Sequence, residues 1–274
     1  MTTPAQFGPE FDNVIRRSGS VQAAFGRNVL DALVAPLREA AAQRRTEHKW
    51  GPGVLASAMW MDDPELIDVL TNMANACVVI TKQQEGKYRN SKFKLLETLA
   101  QSCGLAQAAY PELSELAPRE GRRARVVGPY GPTFDTDIGA VRELGFRRVG
   151  QRLVPIVHAK ILLLGWMGWT DEHPSGHVVD QLFFVPERLW IGSANFTSSS
   201  RHSLEMGVWT TDREMLSTAR TWLLGLVARS EPLRSPSDDP DPELLPVEYD
   251  DQAFAEYLWE HRHEVGDDMD DEGS

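Results

Sequence analysis

Apolar positions along the chain fall into short runs and helical stripes that follow one another in a regular order. Phe25, Val29, Leu33 and Leu37 recur at near-helical spacing, so residues 21–45 are predicted as an amphipathic helix that Pro36 kinks or interrupts. After Gly51-Pro52-Gly53, the compact apolar run 54–61 reads as a buried strand. Asp62-Asp63-Pro64 then opens a helix to about residue 74, with Asp at the cap, Pro in the first turn, and Leu66, Val69, Leu70 and Met73 on one face. A second strand is expected over 77–81. This strand–helix–strand order predicts a parallel sheet with crossover helices.

Further along, a helix over 91–102 and a strand over 125–127 are expected, separated by a Pro/Glu/Gly-rich stretch. Residues 153–164 form a strongly apolar strand broken only by Pro155, His158 and Lys160. A polar loop over 170–176 leads to a strand at 178–185, a turn at Pro186-Glu187, and a strand at 189–192. Residues 204–210 give another strand, and Asp212 caps a helix running to about residue 229. The Pro/Asp-rich stretch 230–246 reads as linker, and 253–263 as a short terminal helix. The domains expected are an N-terminal helical segment (1–50), an α/β domain (51–230), and an acidic linker and tail (231–274). No internal repeat is visible.

Charge changes this picture only at one end. The chain of 274 residues has a net charge of −12, unpromising for a ligand of phosphate polymers. From Glu231 onward, however, 16 acidic residues face two arginines, so residues 1–230 carry a net +2. The acidity belongs to the tail, and such tails are solvated segments. No run approaches the roughly 20 apolar residues that span a bilayer, and the polar start lacks a signal-peptide core, so no membrane partner and a cytoplasmic address are expected. Cys77 and Cys103 each sit in an apolar or helical context, which fits buried free thiols rather than a disulfide or metal site.

Two segments carry candidate chemistry. His158 and Lys160, two apart in a predicted strand, would share a face. A bare buried lysine costs several kcal/mol, roughly, unless it meets an anion or a cavity. The bland alternative is a core histidine beside a snorkelling edge lysine. Downstream, Trp190-Ile191-Gly192-Ser193-Ala194-Asn195-Phe196-Thr197 ends an apolar strand in small, hydrogen-bonding residues. Glycine permits close approach, and Ser and Asn offer donors to an anionic oxygen. Alone, this segment also reads as a strand-to-helix turn.

Together, His-x-Lys on an apolar strand and Gly-Ser-x-Asn at another strand's end resemble the signature of the phospholipase D superfamily. Ser203-Leu204-Glu205-Met206-Gly207-Val208 is similar to the strand that follows in that family, and the run from Leu55 to Pro64 to its opening strand and helix. The resemblance covers roughly residues 53–228. It implies an α/β phospholipase D-like sandwich with a mixed, largely parallel central sheet flanked by helices. It departs from the family in two places: Gly165 stands where the pattern has an aspartate, and the stretch between Lys160 and Gly192 is longer than usual, as a hairpin or a loop over the site.

The implied chemistry uses no metal and no cofactor. His158 would attack phosphorus to form a phosphohistidine. Lys160, Ser193 and Asn195 would bind the non-bridging oxygens, and Glu205 would orient the imidazole. A second acid must protonate the leaving oxygen, and none of His48, His173, His177, His202, His261 and His263 begins a second His-x-Lys. Single-motif members of the family place two half-sites across a two-fold axis, so a homodimer is implied. The partner expected is nucleic acid, DNA favoured over RNA, with Arg147, Arg148 and Arg152 following a phosphate backbone and Trp166 stacking on bases. Hydrolysis of a phospholipid or other phosphodiester, and a catalytically inert binding or scaffold role, remain open. Asp171, Glu172, His173, His177 and Asp180 match no strong metal-site spacing and read as a solvated loop.

Overall fold

The computed structural model describes residues 11, 14–43, 49–82, 90–128, 137–145, 156–172, 178–235 and 241–260. In chain order the elements are β1 (Val14–Ser18), β2 (Val21–Gly26), α1 (Val29–Ala42), β3 (Lys49–Ala58), α2 (Pro64–Thr71), β4 (Asn75–Thr81) and α3 (Asn90–Ser102). The short strands β5 (Gly104–Ala106), β6 (Leu116–Pro118), β7 (Val126–Val127) and β8 (Asp137–Gly139) follow, then β9 (Val141–Leu144). The second half holds β10 (Ile161–Glu172), β11 (Val178–Gly192), β12 (Glu205–Thr210), α4 (Arg213–Ala228), β13 (Glu231–Pro232), β14 (Leu244–Pro246), β15 (Glu248–Tyr249) and α5 (Asp251–Glu260).

A nine-stranded sheet of order β1-β2-β12-β11-β10-β3-β4-β9-β13 organises the chain. It is mixed, as expected, but not largely parallel: only β3 with β4 and β4 with β9 run parallel. The long β10–β11 hairpin and the β1–β2 hairpin supply antiparallel pairs that the strand–helix–strand start did not announce. Side chains alternate between two cores, as a period of two requires. Val54, Ala56, Val78 and Ile80 face α1, α2 and α3 with Leu33, Leu66 and Leu99. Leu55, Cys77, Val79 and Leu163 face α4 with Leu216, Leu223 and Val227.

Asp63 caps α2, its carboxylate accepting from the Leu66 amide at 2.9 Å, and Asp212 caps α4 in the same way at Met215. Cys77 and Cys103 are free thiols. Burial pushes Cys77 up to about 12 and Cys103 up to about 11, which leaves both protonated and inert.

Four expectations need correction. Residues 21–45 are not one helix: β2 pairs with β12, and the chain turns into α1 through Gly26 (φ 106°) and Asn28 (φ 58°). Phe25 lies in phase with the helical stripe but sits on an alternating strand. Of the strand expected over 153–164, residues 153–155 lie outside the described residues and 156–160 are irregular, so His158 and Lys160 lie in the segment leading into β10, which begins at Ile161. The turn expected at Pro186-Glu187 is an irregularity within one strand, because β11 continues through it while the register against β10 shifts between Leu164 and Gly165. The stretch read as linker contributes β13 to the main sheet, where Glu231 is buried and pairs with buried Lys82 at 2.5 Å. Arg142 binds Ser230 and Glu243 beside it. Polar residues there are spent on buried ion pairs, which composition alone reads as solvated loop. The sheet therefore takes in residues on both sides of the boundaries expected at 51 and 230.

Among the described residues no helix is long and apolar enough to cross a membrane.

Candidate active site

The site lies where β10 begins and β11 ends. The segment before β10 is held by the end of β4, since the Thr81 hydroxyl donates to the Val157 carbonyl at 2.6 Å. The next residue, His158, is exposed, while Lys160 is only 8% exposed. The Lys160 carbonyl accepts from the Gly192 amide at 3.0 Å, which sets the lysine beside Gly192-Ser193. Its Nζ lies 3.3 Å from Nδ1 and 3.2 Å from Nε2 of His158. Near-equal distances put the amine over the ring rather than along one lone pair, because an in-plane position would overlap Cε1.

Burial holds the Lys160 ammonium below the usual lysine range, and the negative charge of Glu205 works against that shift. Glu205 opens β12 and accepts a hydrogen bond from the Ser193 hydroxyl. Ser193 in turn accepts from the Met206 amide at 3.0 Å, and its own amide donates to the Met206 carbonyl at 2.9 Å. The serine is thus fixed on three sides by the next strand. No hydrogen bond joins Glu205 to His158 among the described residues; the carboxylate reaches the serine and, through its field, the lysine.

A cleft of about 520 Å³ is lined by His158, Lys160, Ser193, Gly192, Ile161, Ile191 and Trp222, among others. Asn195 lies two residues beyond Ser193, half-buried, with its Oδ1 buried and without a hydrogen-bond partner among the described residues. The loop that carries it is tied to the start of α2. The Asp62 and Asp63 amides both donate to the Phe196 carbonyl, and the Asp62 carboxylate accepts from the Ser198 amide at 2.9 Å.

Of the residues expected from sequence, the fold brings His158, Lys160 and Ser193 into one cleft and adds Glu205 through Ser193. Trp166 goes elsewhere: it is 5% exposed in the core, its indole N–H donating to Glu187 at 2.7 Å, so it offers no ring face to a base. Arg147, Arg148 and Arg152 lie outside the described residues, as do His48, His173, His177, His261 and His263. Trp222 was missed. It stands on the edge of the buried stripe of α4, half out of the protein, at a position that helical phase alone marks as surface.

No family model and no curated protein matches the chain. Solved structures similar to it include a phospholipase D family member, Nuc, from Salmonella typhimurium, at 13% identity and a TM-score of 0.43, covering 79% of this chain and 99% of that one. NucT from Helicobacter pylori is similar at 12% identity and a TM-score of 0.39, covering 77% and 98%. Polyphosphate kinase from Porphyromonas gingivalis is similar at 14% identity and a TM-score of 0.42, over 74% of this chain and 25% of the kinase.

Proposed function

We propose that the protein is a metal-independent phosphodiesterase, a nuclease that cleaves through a phosphohistidine at a site completed by a second copy of the chain. The observation that carries this reading is the burial of Lys160 against His158 and Ser193 in one open cleft. A desolvated ammonium beside an exposed imidazole and an oriented hydroxyl is matched by an anion with a reactive centre.

In the first step neutral His158 attacks phosphorus, a P–N bond forms, and the P–O bond to the leaving group breaks. The leaving oxygen takes a proton from an acid, the role given to His158 of the second copy. That group then acts as base on a water, whose oxygen attacks phosphorus while the P–N bond breaks and His158 is released. Lys160 neutralises the non-bridging oxygens in both steps. Ser193, with its hydroxyl turned to Glu205, offers its position at the strand end rather than a free donor until substrate competes for it. Asn195, two residues beyond Ser193, is given a supporting role, its amide N–H2 donating to a non-bridging oxygen.

The test is cleavage of DNA and RNA in EDTA by wild type and His158→Ala, with phospholipid vesicles in parallel and light scattering on the same samples. The reading expects nucleic-acid cleavage, DNA over RNA, that His158→Ala abolishes without unfolding, from a dimer. Metal-dependent cleavage that survives His158→Ala overturns the mechanism, an active monomer overturns the composite site, and hydrolysis of the vesicles alone overturns the substrate.

A further inference from the structure

The cleft does not end at the proposed phosphate site. Ile161, Ile191 and Trp222 are shared with a second groove of about 360 Å³, which continues over Leu189, Ala219, Met215 and Thr218. Its floor is the stretch where β10 begins and β11 ends, and its wall is one flank of α4. At its far end stand two carboxylates, Asp212 and Glu214. One oxygen of Asp212 caps α4 at the Met215 amide, at 2.9 Å; the other takes part in no hydrogen bond among the described residues. Glu214 is exposed.

Such a groove is wrong for a second phosphate, which the carboxylates would repel. It is also wrong for an acyl chain, which gains nothing from two acceptors at the end of its path. A flat apolar wall followed by hydrogen-bond acceptors matches a nucleobase: a π-face to lie on Trp222, and amino or imino hydrogens to give to carboxylate oxygens. We propose that this groove is a base subsite that holds one unpaired nucleobase next to the scissile phosphate, stacked on Trp222 with its donor edge toward Asp212 and Glu214. This rests on the nuclease reading of the adjoining cleft and narrows its substrate to single strands. A base inside a duplex has both faces stacked and its donor edge paired, so it cannot enter. It also sets a preference for bases that carry an amino group over thymine, whose exposed edge is richer in acceptors.

The experiment measures anisotropy of labelled oligo-dC, oligo-dT and a mixed-sequence duplex in EDTA. The proteins are full-length His158→Ala alone, with Trp222→Ala, and with Trp222→Phe. Oligo-dC is expected to bind more tightly than oligo-dT or duplex. Trp222→Ala should weaken single-strand binding by about tenfold, as loss of one base–aromatic stack does, while Trp222→Phe keeps most of the affinity. Light scattering accompanies each titration. Equal binding with and without the Trp222 ring overturns the subsite, and so does an equal loss on duplex. A change of oligomeric state in Trp222→Ala also overturns it, because Trp222 would then serve an interface between copies. A protein that shows the Trp222-dependent preference for oligo-dC yet cleaves no nucleic acid would retain the subsite and lose the nuclease reading. One that cleaves single strands and duplex alike, regardless of Trp222, would do the reverse.

Discussion

The Ser193 hydroxyl donates to the Glu205 carboxylate across the β11–β12 pairing, and the negative charge of that carboxylate acts on buried Lys160. Glu205 thus bears on the serine and the lysine, and among the described residues no hydrogen bond joins it to His158, the partner that the motif resemblance implies.

Glu205→Gln tests this directly. Burial lowers the Lys160 pKa and Glu205 raises it, so removing the charge lets the value fall further. Activity that needs the ammonium is present below that pKa and lost as pH rises through it. The alkaline limb of the pH–rate profile should move to lower pH in Glu205→Gln, while the glutamine still accepts from Ser193. An unmoved limb with a shifted acidic limb would instead place Glu205 on His158.

Lys160→Met should separate stability from function. Lys160 is nearly buried, and among the described residues no carboxylate forms an ion pair with it, so the charged form is held at a cost. Methionine fills a similar volume without that cost, and a gain of about 1 kcal/mol or more is expected. Activity should vanish. The pH dependence carries the same signature. Because the folded pKa lies below the unfolded one, the unfolded chain binds more protons between the two values, and wild-type stability rises with pH across that window. Urea titrations at several alkaline pH values should show this rise in wild type and its loss in Lys160→Met.

Arg201 secures the loop that carries Asn195. Its Nε and Nη2 meet the two oxygens of fully buried Asp63 at 2.6 and 2.9 Å, and it also pairs with Asp31 and Glu65. Arg201→Ala leaves the Asp63 carboxylate buried without its counter-ion, a loss of about 3 kcal/mol. Arg201→Lys should recover only part of it, because a point charge cannot repeat the two-pronged contact. Chemical denaturation followed by circular dichroism reads both, with the midpoint falling at constant slope.

How much of this was legible beforehand depends on the range of the forces involved. The caps at Asp63 and Asp212 and the strands around Val54 and Cys77 were readable because they are local: a capping side chain, a proline in the first turn, a compact apolar run. His158, Lys160 and Ser193 could be named as partners because their spacing resembles a known motif. Three things were not readable. Phe25 fits a helical stripe and a strand equally well, and only pairing with β12, some 180 residues away in sequence, decides between them. Glu231 and Arg142 look like solvated charges until Lys82 and Ser230 close around them. Trp222 lies on a helix whose phase is plain, but which element its outer edge faces is set by tertiary packing alone.

Gly165 sits where the motif resemblance calls for an aspartate, and the structure gives a reason for the glycine. It lies at the register shift of the β10–β11 pairing, where a Cβ would come within 2.2 Å of the Val185 carbonyl and 2.8 Å of the Phe184 ring. Neither can move easily, since the carbonyl belongs to the adjacent strand and Phe184 is buried against Tyr110. Restoring the motif with Gly165→Asp would therefore drive a side chain into backbone and add an unpaired carboxylate to the core. We expect destabilisation of at least about 3 kcal/mol and no gain in turnover. If Gly165→Asp instead folds with unchanged stability and raises cleavage, the hairpin is more plastic than this packing allows, and the missing aspartate was a functional loss rather than a consequence of how β10 and β11 fit together.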